Sequence, residues 1–170
     1  MKRILDATAG ARTIWFQKDC DDCIFLDKRV VDDEVIWTSK DGTQSRRMTI
    51  KPDVVADFTD MPFPDESFYL VVFDPPHLTR AGEGSWMYHK YGRLEGDWQA
   101  MIRDGFKECM RVLKPNGVLI FKWSEADIKV SEIIKIIGDT PLFGHKSGKF
   151  MTTHWMVFMK DGEKNEDSEM

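Results

Sequence analysis

Short apolar runs recur along the chain, and each ends at a polar residue or a small-residue turn. Runs of about four to eight apolar residues bounded by turn residues are typical of buried strands. The pattern predicts five such strands, at residues 2–5, 23–26, 53–56, 68–73 and 118–123. Polar segments separate these strands.

Apolar residues three and four positions apart predict two longer helices. The first covers residues 98–113 and ends at Lys114-Pro115-Asn116-Gly117, a sequence that stops helices. The second begins at Ser124-Glu125 and closes at Gly138. Residues 11–19, between the first two strands, leave room for one short helix.

Two further segments read as hairpins. EVIWT and QSRRMTI flank the turn sequence SKDG, which predicts a small hairpin over residues 34–50. PLFGH and HWMVFM flank a loop of glycine and lysine residues, which predicts a second hairpin over residues 141–159.

Strands that alternate with helices indicate an α/β fold. We expect a Rossmann-like, doubly wound and mostly parallel sheet with helices on both faces, and with the C-terminal hairpin adding an antiparallel strand. Residues 1–160 fit a single domain. The last ten residues, DGEKNEDSEM, lack apolar anchors and predict an acidic disordered tail over 161–170.

The composition and charge of the chain limit its expected partners, location and metal sites. The 170 residues carry a formal net charge of −5, and the tail holds most of it, so the body is nearly neutral and does not indicate an extensive phosphate-binding surface. No apolar run approaches the ~18 residues of a membrane span, and we expect no membrane partner. Three cysteines favour a cytoplasmic protein with reduced thiols. The single CxxC at Cys20–Cys23 has no second pair, and we predict no metal site.

Four aspartates fall at or just after predicted strand ends, namely Asp6, Asp27, Asp57 and Asp74. The carboxyl ends of parallel strands face one crevice, where such folds bind ligands. Asp27 follows Asp6 by 21 residues, near the interval at which an acidic residue meets a ribose. The loop between them has one glycine where a pyrophosphate clamp has three, so a nucleoside cofactor such as S-adenosylmethionine fits better than a dinucleotide.

Two consecutive prolines follow Asp74 at the end of the strand at 68–73. Proline cannot donate to a sheet and has a fixed φ, so Pro75-Pro76 predicts a stiff bend. A rigid turn alone would explain this feature. An active-site loop that holds Asp74 in place would explain it equally well.

Four stretches resemble class I S-adenosylmethionine-dependent methyltransferases: ILDATAGA, IFLDKR, ADFTDMPFPDESFYLVVFD and RVLKPNGVLIFKW. Within that family, DPPH resembles the Asp-Pro-Pro-aromatic motif of compact phage and bacterial enzymes that methylate base amines, chiefly adenine N6. His77 stands where that motif usually has Tyr, Trp or Phe.

The resemblance implies roles for individual residues. It implies that S-adenosyl-L-methionine is held by Asp6, Ala7, Gly10 and Arg12 at its methionine end, by Asp27 at the ribose, and by Asp57 and Phe58 at the adenine. It also implies a catalytic set of Asp74, Pro75, Pro76 and His77. Asp74 and the Pro75 carbonyl would accept the two N–H groups of the amine, and His77 would stack on or hydrogen-bond the base.

Two segments are candidates for substrate contact. Residues 78–98 mix aromatic and cationic residues, which favours stacking on bases through Trp86 and Tyr91, although packing of a lid onto the body is the alternative. Lys146 and Lys149 lie on the predicted C-terminal hairpin, where phosphate contact and a solvated turn are both open.

The sequence therefore predicts a methyltransferase for a nucleobase amine, with DNA or RNA as substrate and a partner subunit for target recognition. Two alternatives remain. One is a methyltransferase for a small-molecule or protein amine, and the other is a non-catalytic module that binds S-adenosylmethionine.

Overall fold

The computed structural model describes residues 2–162. Its elements in chain order are β1 Ile4–Asp6, β2 Cys23–Asp27, β3 Val31–Thr38, β4 Ser45–Ile50, β5 Val54–Val55, β6 Phe68–Phe73, α1 Trp86–Tyr91, α2 Trp98–Val112, β7 Leu113–Ser124, α3 Val130–Ile137, β8 Phe143–Ser147 and β9 Thr153–Met159. These elements form a seven-stranded sheet and a separate two-stranded hairpin.

The large sheet has the strand order β5-β2-β1-β6-β7-β9-β8. The first five strands in this order are parallel, β9 is antiparallel to β7, and β8 is antiparallel to β9 and so runs in the same direction as β7. This arrangement confirms the Rossmann-like, mostly parallel sheet and its antiparallel C-terminal hairpin. The register pairs Asp6 with Val72 and Phe73 with Phe121, so the carboxyl ends of the central strands lie at one edge.

The main core lies between one face of the sheet and two helices. Alternate strand residues, among them Leu5, Val71 and Phe121, are fully buried there, and they pack with Ile102 of α2 and Ile133 of α3. Full burial of an apolar side chain of this size contributes about 1.5–3 kcal/mol. The amphipathic pattern of α2 therefore anchors it on the sheet, and the Asp97 side chain caps it by accepting from Ala100 N.

The opposite face of the sheet is covered differently. Its buried cluster consists of Ala9, Cys23 and Phe25, with Trp15 packed against it, and includes no residue of a described helix. The expectation of helices on both faces is thus met on one face only within residues 2–162. Cys23 is buried, in agreement with its place at the start of an apolar strand.

The predicted short helix over residues 11–19 is wrong, because this segment forms turns. Arg12 has a φ of 54° in the left-handed region, which a continuing helix does not allow. Its guanidinium lies 3.8 Å from the centre of the Phe25 ring and donates to the carbonyls of Lys18 and Lys51. These contacts fix the segment as an irregular cover over the sheet.

Helix boundaries differ at two further places. α3 begins at Val130 and not at 124–125, because Trp123 Nε1 donates to Ile128 O at 3.0 Å and holds the intervening residues in a turn. α1 was not predicted. Ser85 caps it by accepting from Tyr88 N, and Gly92 ends it with a φ of 71°.

The predicted strand at 118–123 is confirmed as β7, which begins earlier, at Leu113, and so includes the helix-stop sequence at 114–117. The remaining elements agree with the sequence pattern. α2 and β6 have their predicted positions within one residue, and both hairpins are confirmed, with β3 beginning at Val31. The predicted tail at 161–170 lies, apart from its first two residues, outside the described part of the chain, and the single-domain boundary stays a prediction. Among the helices of residues 2–162, none is long and apolar enough to cross a membrane.

Candidate active site

A cavity of about 320 Å³ opens at the edge where the parallel strands end. This volume lies at the lower end of the roughly 300–1,000 Å³ typical of ligand pockets. Its wall is built from the loop after β1, the end of β2, the start of the loop after β6, hairpin β3–β4 and α1. The predicted site residues in its lining are Asp6, Ala7, Gly10, Asp27, Phe58, Asp74, Pro75, Pro76 and Tyr91.

Asp6 is almost completely buried at the base of the cavity. Its carboxylate accepts from Thr8 N at 3.0 Å and from Trp15 Nε1 at 2.6 Å. Burial, with smaller effects of Asp74 and Asp27, raises the pKa of Asp6 to about 7. The protonation of Asp6 near neutral pH is therefore sensitive to any charge that enters the cavity.

Gly10 and Asp27 connect the first two strand ends. Gly10 N donates to Asp27 Oδ2 at 2.9 Å, and Gly10 has a φ of 50°, which an L side chain rarely adopts. Asp27 is buried beneath this loop. The single glycine noted in the sequence is thus required where the loop turns toward Asp27.

Arg29, which sequence reasoning missed, occupies the remaining acceptor sites of Asp27. Arg29 N and Nε donate to Oδ1 at 2.9 and 3.1 Å, and Nη2 donates to Oδ2 at 3.2 Å. A carboxylate offers about four lone-pair sites, and with Gly10 all are used. Nη1 of Arg29 also donates to His89 O in α1 at 3.1 Å. A ribose diol therefore finds free acceptors on Asp27 only when the guanidinium moves away.

Phe58 and Asp57, which are adjacent in sequence, have different surroundings. Phe58 lines the cavity and packs edge-on against Phe73, with ring centres 5.2 Å apart. Asp57 is not among the lining residues; its side chain accepts from Thr59 N and Oγ1. The adenine contact of Asp57 stays a prediction that this position does not favour.

The Arg12 side chain also lies outside the cavity lining. It is held by the carbonyls of Lys18 and Lys51, as described above, and is 19% exposed. Contact with the methionine carboxylate of a cofactor would require these bonds to break. In this position Arg12 stabilises the segment after β1 through its hydrogen bonds to Lys18 and Lys51.

Asp74 is held on both sides at the tip of β6. Its backbone N donates to Thr8 Oγ1 at 2.7 Å, and its Oδ2 accepts from Lys122 Nζ at 2.5 Å. Pro75 and Pro76 follow in the cavity wall, with Pro76 packed beside Gly92. Lys122 was missed by sequence reasoning, although a lysine between Phe121 and Trp123 in an apolar strand is a visible signal.

His77 is buried below the loop and not in the cavity lining. Its ring centre lies 5.5 Å from that of Tyr91 and 6.3 Å from that of Trp123. Burial lowers the pKa of His77, which favours the neutral ring. Stacking of His77 on a base stays a prediction; its observed contacts are those of a residue that supports the loop.

The other predicted substrate residues are spread out. Tyr91 lines the cavity, and Trp86 lies behind it at a ring-centre distance of 6.5 Å. Lys146 and Lys149 belong to the β8–β9 hairpin, outside the lining. Lys146 contacts Glu125 at 3.4 Å, and Lys149 lies over the Phe150 ring. No three His, Cys, Asp or Glu side chains within residues 2–162 are grouped to hold a metal ion.

Comparison with known proteins places the fold. No protein-family model matches the sequence, and no curated protein matches it. Among solved structures, the PH0226 protein of Pyrococcus horikoshii is 14% identical with a TM-score of 0.57, over 94% of this chain and 83% of that one. A SAM-dependent methyltransferase of Leishmania major is 15% identical with a TM-score of 0.52, over 92% of this chain and 64% of that one.

A third similar structure is the cyclase SpnF, which is 11% identical with a TM-score of 0.51, over 94% of this chain and 74% of that one. At such low identities, these likenesses show a shared fold. The fold of this chain is therefore that of proteins that include a SAM-dependent methyltransferase. Its activity has to be argued from the cavity itself.

Proposed function

We propose that this protein transfers a methyl group from S-adenosylmethionine to an exocyclic amine of a nucleobase, adenine N6 in DNA or RNA. The observation that carries the proposal is that Asp74-Pro75-Pro76 lines the same cavity as the Asp6–Gly10 loop and Asp27. The same cavity would thus offer Asp27 to a ribose, once Arg29 moves away, and Asp74 to an amine.

The residues present fit the cofactor. Asp27 would hold the ribose hydroxyls once Arg29 gives way, Phe58 would contact the adenine, and the loop from Asp6 to Gly10 would take the methionine end. Buried carboxylates suit a ligand with an ammonium and a sulfonium. The bound cofactor would supply an electrophilic methyl group on sulfur.

Asp74 and Pro75 would act on the amine. The lone pair of an exocyclic amine is delocalised into the ring, and acceptors for both N–H bonds favour a more tetrahedral nitrogen whose lone pair points at the methyl group. Asp74 Oδ1 accepts no hydrogen bond from residues 2–162, which leaves it available. Lys122 and Thr8 hold the rest of Asp74 in place, so little reorganisation is needed.

Alignment is then the main contribution of the site, and effects of this kind amount to about 7–11 kcal/mol. The methylated nitrogen must lose a proton, and we assign Asp74 as its acceptor. A base within a duplex would first have to flip out, at a cost of a few kcal/mol.

We also propose that a partner subunit supplies target recognition and that the enzyme works in the cytoplasm.

A different function on the same fold is the main alternative, because the similar SpnF structure belongs to a protein named as a cyclase. A small-molecule or protein amine is a second alternative substrate. The position of Asp74 in the cavity applies to any amine, so the substrate has to be identified directly.

The test is to incubate the protein with labelled S-adenosylmethionine and separate pools of unmethylated DNA, total RNA and small metabolites. Digestion and mass spectrometry of the labelled pool identify the product. N6-methyladenine in one nucleic-acid pool is the expected result. Label confined to the metabolite pool would reassign the substrate to a small amine.

Asp74→Ala is the matched variant for this assay. We expect transfer to be lost while cofactor binding, measured by calorimetry, is kept, because Asp74 does not hold the proposed ribose site. Turnover by Asp74→Ala at the wild-type rate would exclude the proposed mechanism. Cofactor binding without transfer to any pool would point to a binding module.

A further inference from the structure

A row of alternating aromatic rings and cations leads from hairpin β3–β4 to the cavity. The Arg46 guanidinium lies 4.6 Å from the centre of the Trp86 ring and 5.8 Å from that of Trp37. Lys90 Nζ lies 5.8 Å from the Trp86 ring centre and 4.9 Å from that of Tyr91. Lys90 and Tyr91 also line the cavity. We call these five residues the stacking surface.

Two elements set the geometry of the stacking surface. Trp37 and Arg46 are paired across the antiparallel register of β3 and β4, so their side chains lie on one face of the hairpin. Trp86 is the first residue of α1, which Ser85 caps. No residue of α1 is buried. Trp37, Trp86 and Tyr91 are each only partly buried, and none of them belongs to the described core clusters.

The cations of the stacking surface differ from their neighbours in having no carboxylate partner. Arg47 and Lys51, in the same hairpin region, contact Asp33 at 2.7 Å and Asp32 at 2.9 Å. Neither Arg46 nor Lys90 has a carboxylate of residues 2–162 within 4.0 Å. Within residues 2–162, no direct ion pair therefore offsets the charges of Arg46 and Lys90, although the chain as a whole is acidic.

We propose that the stacking surface binds single-stranded nucleic acid and leads one base of the strand into the cavity. Rings in a row accept successive bases by stacking, and cations between them contact the phosphates. Paired bases inside a duplex cannot stack in this way, so a single strand is the occupant that the row of rings favours. The fate of the base in the cavity rests on the function proposed above, whereas binding of the strand does not.

The β8–β9 hairpin provides a matched comparison surface. It also has two lysines, but Lys146 contacts Glu125, and neither Lys146 nor Lys149 lines the cavity. The stacking surface thus replaces this hairpin as our candidate for strand contact. Removing charge at Lys146 and Lys149 controls for the general effect of net charge on binding.

The experiment is an anisotropy titration of a labelled single-stranded oligonucleotide, as DNA and as RNA, with the full chain at several salt concentrations. We expect Trp86→Ala to weaken binding by roughly 5- to 100-fold, and Trp86→Phe to keep most of the affinity. Arg46→Gln should reduce the slope of log affinity against log salt by about 0.7. The Lys146→Ala/Lys149→Ala double variant and a duplex of the same sequence are the controls. Calorimetry with S-adenosylmethionine checks that each variant keeps its cavity.

The inference is overturned if the wild-type protein binds neither single strand at low salt, or if Trp86→Ala and Arg46→Gln bind like the wild type. Equal weakening by the Lys146→Ala/Lys149→Ala control would also overturn it, since that result indicates net charge alone. Strand binding that depends on Trp86, without methylation of any pool, supports this inference while the proposed function fails. If a nucleic acid is methylated and the rate is unaffected by Trp86→Ala and Arg46→Gln, the proposed function is supported and this inference is overturned.

Discussion

Arg29 controls access to the acceptor sites of Asp27. Its guanidinium takes two of the four lone-pair sites, and a ribose diol needs two. We therefore predict that Arg29→Ala binds S-adenosylmethionine roughly 10- to 100-fold more tightly, because hydrogen bonds to charged groups contribute ~1.5–3 kcal/mol. The thermal midpoint of the unliganded variant should fall, because the buried Asp27 loses its partner. Calorimetry and thermal unfolding measure the two effects.

Lys28→Ala is the control for this prediction. Lys28 is the adjacent cation, and it contacts Asp57 at 3.6 Å, with no contact to Asp27 within 4.0 Å. Lys28 also lines the cavity, but it occupies no acceptor site of Asp27, so its removal should not produce the gain in cofactor affinity expected for Arg29→Ala. Weaker cofactor binding by Arg29→Ala would show that the guanidinium stays in the site and contacts the ligand.

The raised pKa of Asp6 leads us to predict that cofactor binding depends on pH. Its pKa is raised to about 7, mainly by burial. A sulfonium or ammonium beside Asp6 favours the ionised carboxylate and lowers this pKa, so binding near pH 7 should release a fraction of a proton. Affinity should accordingly rise from about pH 6 to about pH 8, since the protonated form no longer has to be ionised. Calorimetry in buffers of different ionisation enthalpy measures the released proton.

Asp6→Asn removes the titrating group and keeps an oxygen that can accept from Thr8 or Trp15. Proton release and the change of affinity with pH should both disappear in this variant. If they persist, another group in the cavity is responsible.

Packing of α2 against the sheet sets the position of Phe58. A Cβ at Gly105 would lie 2.5 Å from Phe58 Cδ2 and 3.0 Å from Phe73 Cζ. We predict that Gly105→Ala lowers the free energy of unfolding by about 1–3 kcal/mol, the usual effect of overpacking, and weakens cofactor binding because Phe58 is displaced. Urea unfolding and calorimetry measure these effects.

Gly84→Ala is the comparison for Gly105→Ala, because a Cβ at Gly84 has nothing within 4 Å. It should leave stability and binding nearly unchanged. Wild-type cofactor affinity in Gly105→Ala would show that Phe58 does not contact the ligand.

At the level of elements, periodicity predicted those with a strong pattern. The apolar residues of α2 recur at regular helical spacing and those of β6 form an unbroken run, so both elements were placed within one residue. The segment 11–19 is long enough for a short helix, but Arg12 stacks on Phe25 and bonds to Lys51, which are distant in sequence. Such tertiary contacts override local propensity and leave no local signal.

The aspartates and prolines of the candidate site were predicted from the sequence, but their partners on other strands were not. Strand-end aspartates and the double proline are visible in sequence, and Asp6, Asp27 and Asp74 do line one cavity. Partners that reach them from another strand are not visible in this way. Lys122 contacts Asp74 only because β6 and β7 are paired in register, with Phe73 opposite Phe121.

At the scale of the whole molecule, the net charge affects how strongly the stacking surface binds a polyanion. The chain has a net charge of −5, and its last ten residues contain five acids and one lysine. A polyanion is repelled by acidic residues within about a Debye length, which is ~10 Å at 0.1 M salt.

We therefore predict that deleting residues 163–170 strengthens binding of single-stranded nucleic acid, that the gain is largest at low salt, and that cofactor affinity is unchanged. Replacing Glu163, Glu166, Asp167 and Glu169 by Gln keeps the length of the chain and should strengthen binding at least as much, because it removes four negative charges, whereas the deletion also removes Lys164. Anisotropy titrations at two salt concentrations measure both variants. A gain from the deletion alone would mean that the segment blocks the surface sterically. Wild-type affinity in both would mean that the acidic residues do not reach the bound strand.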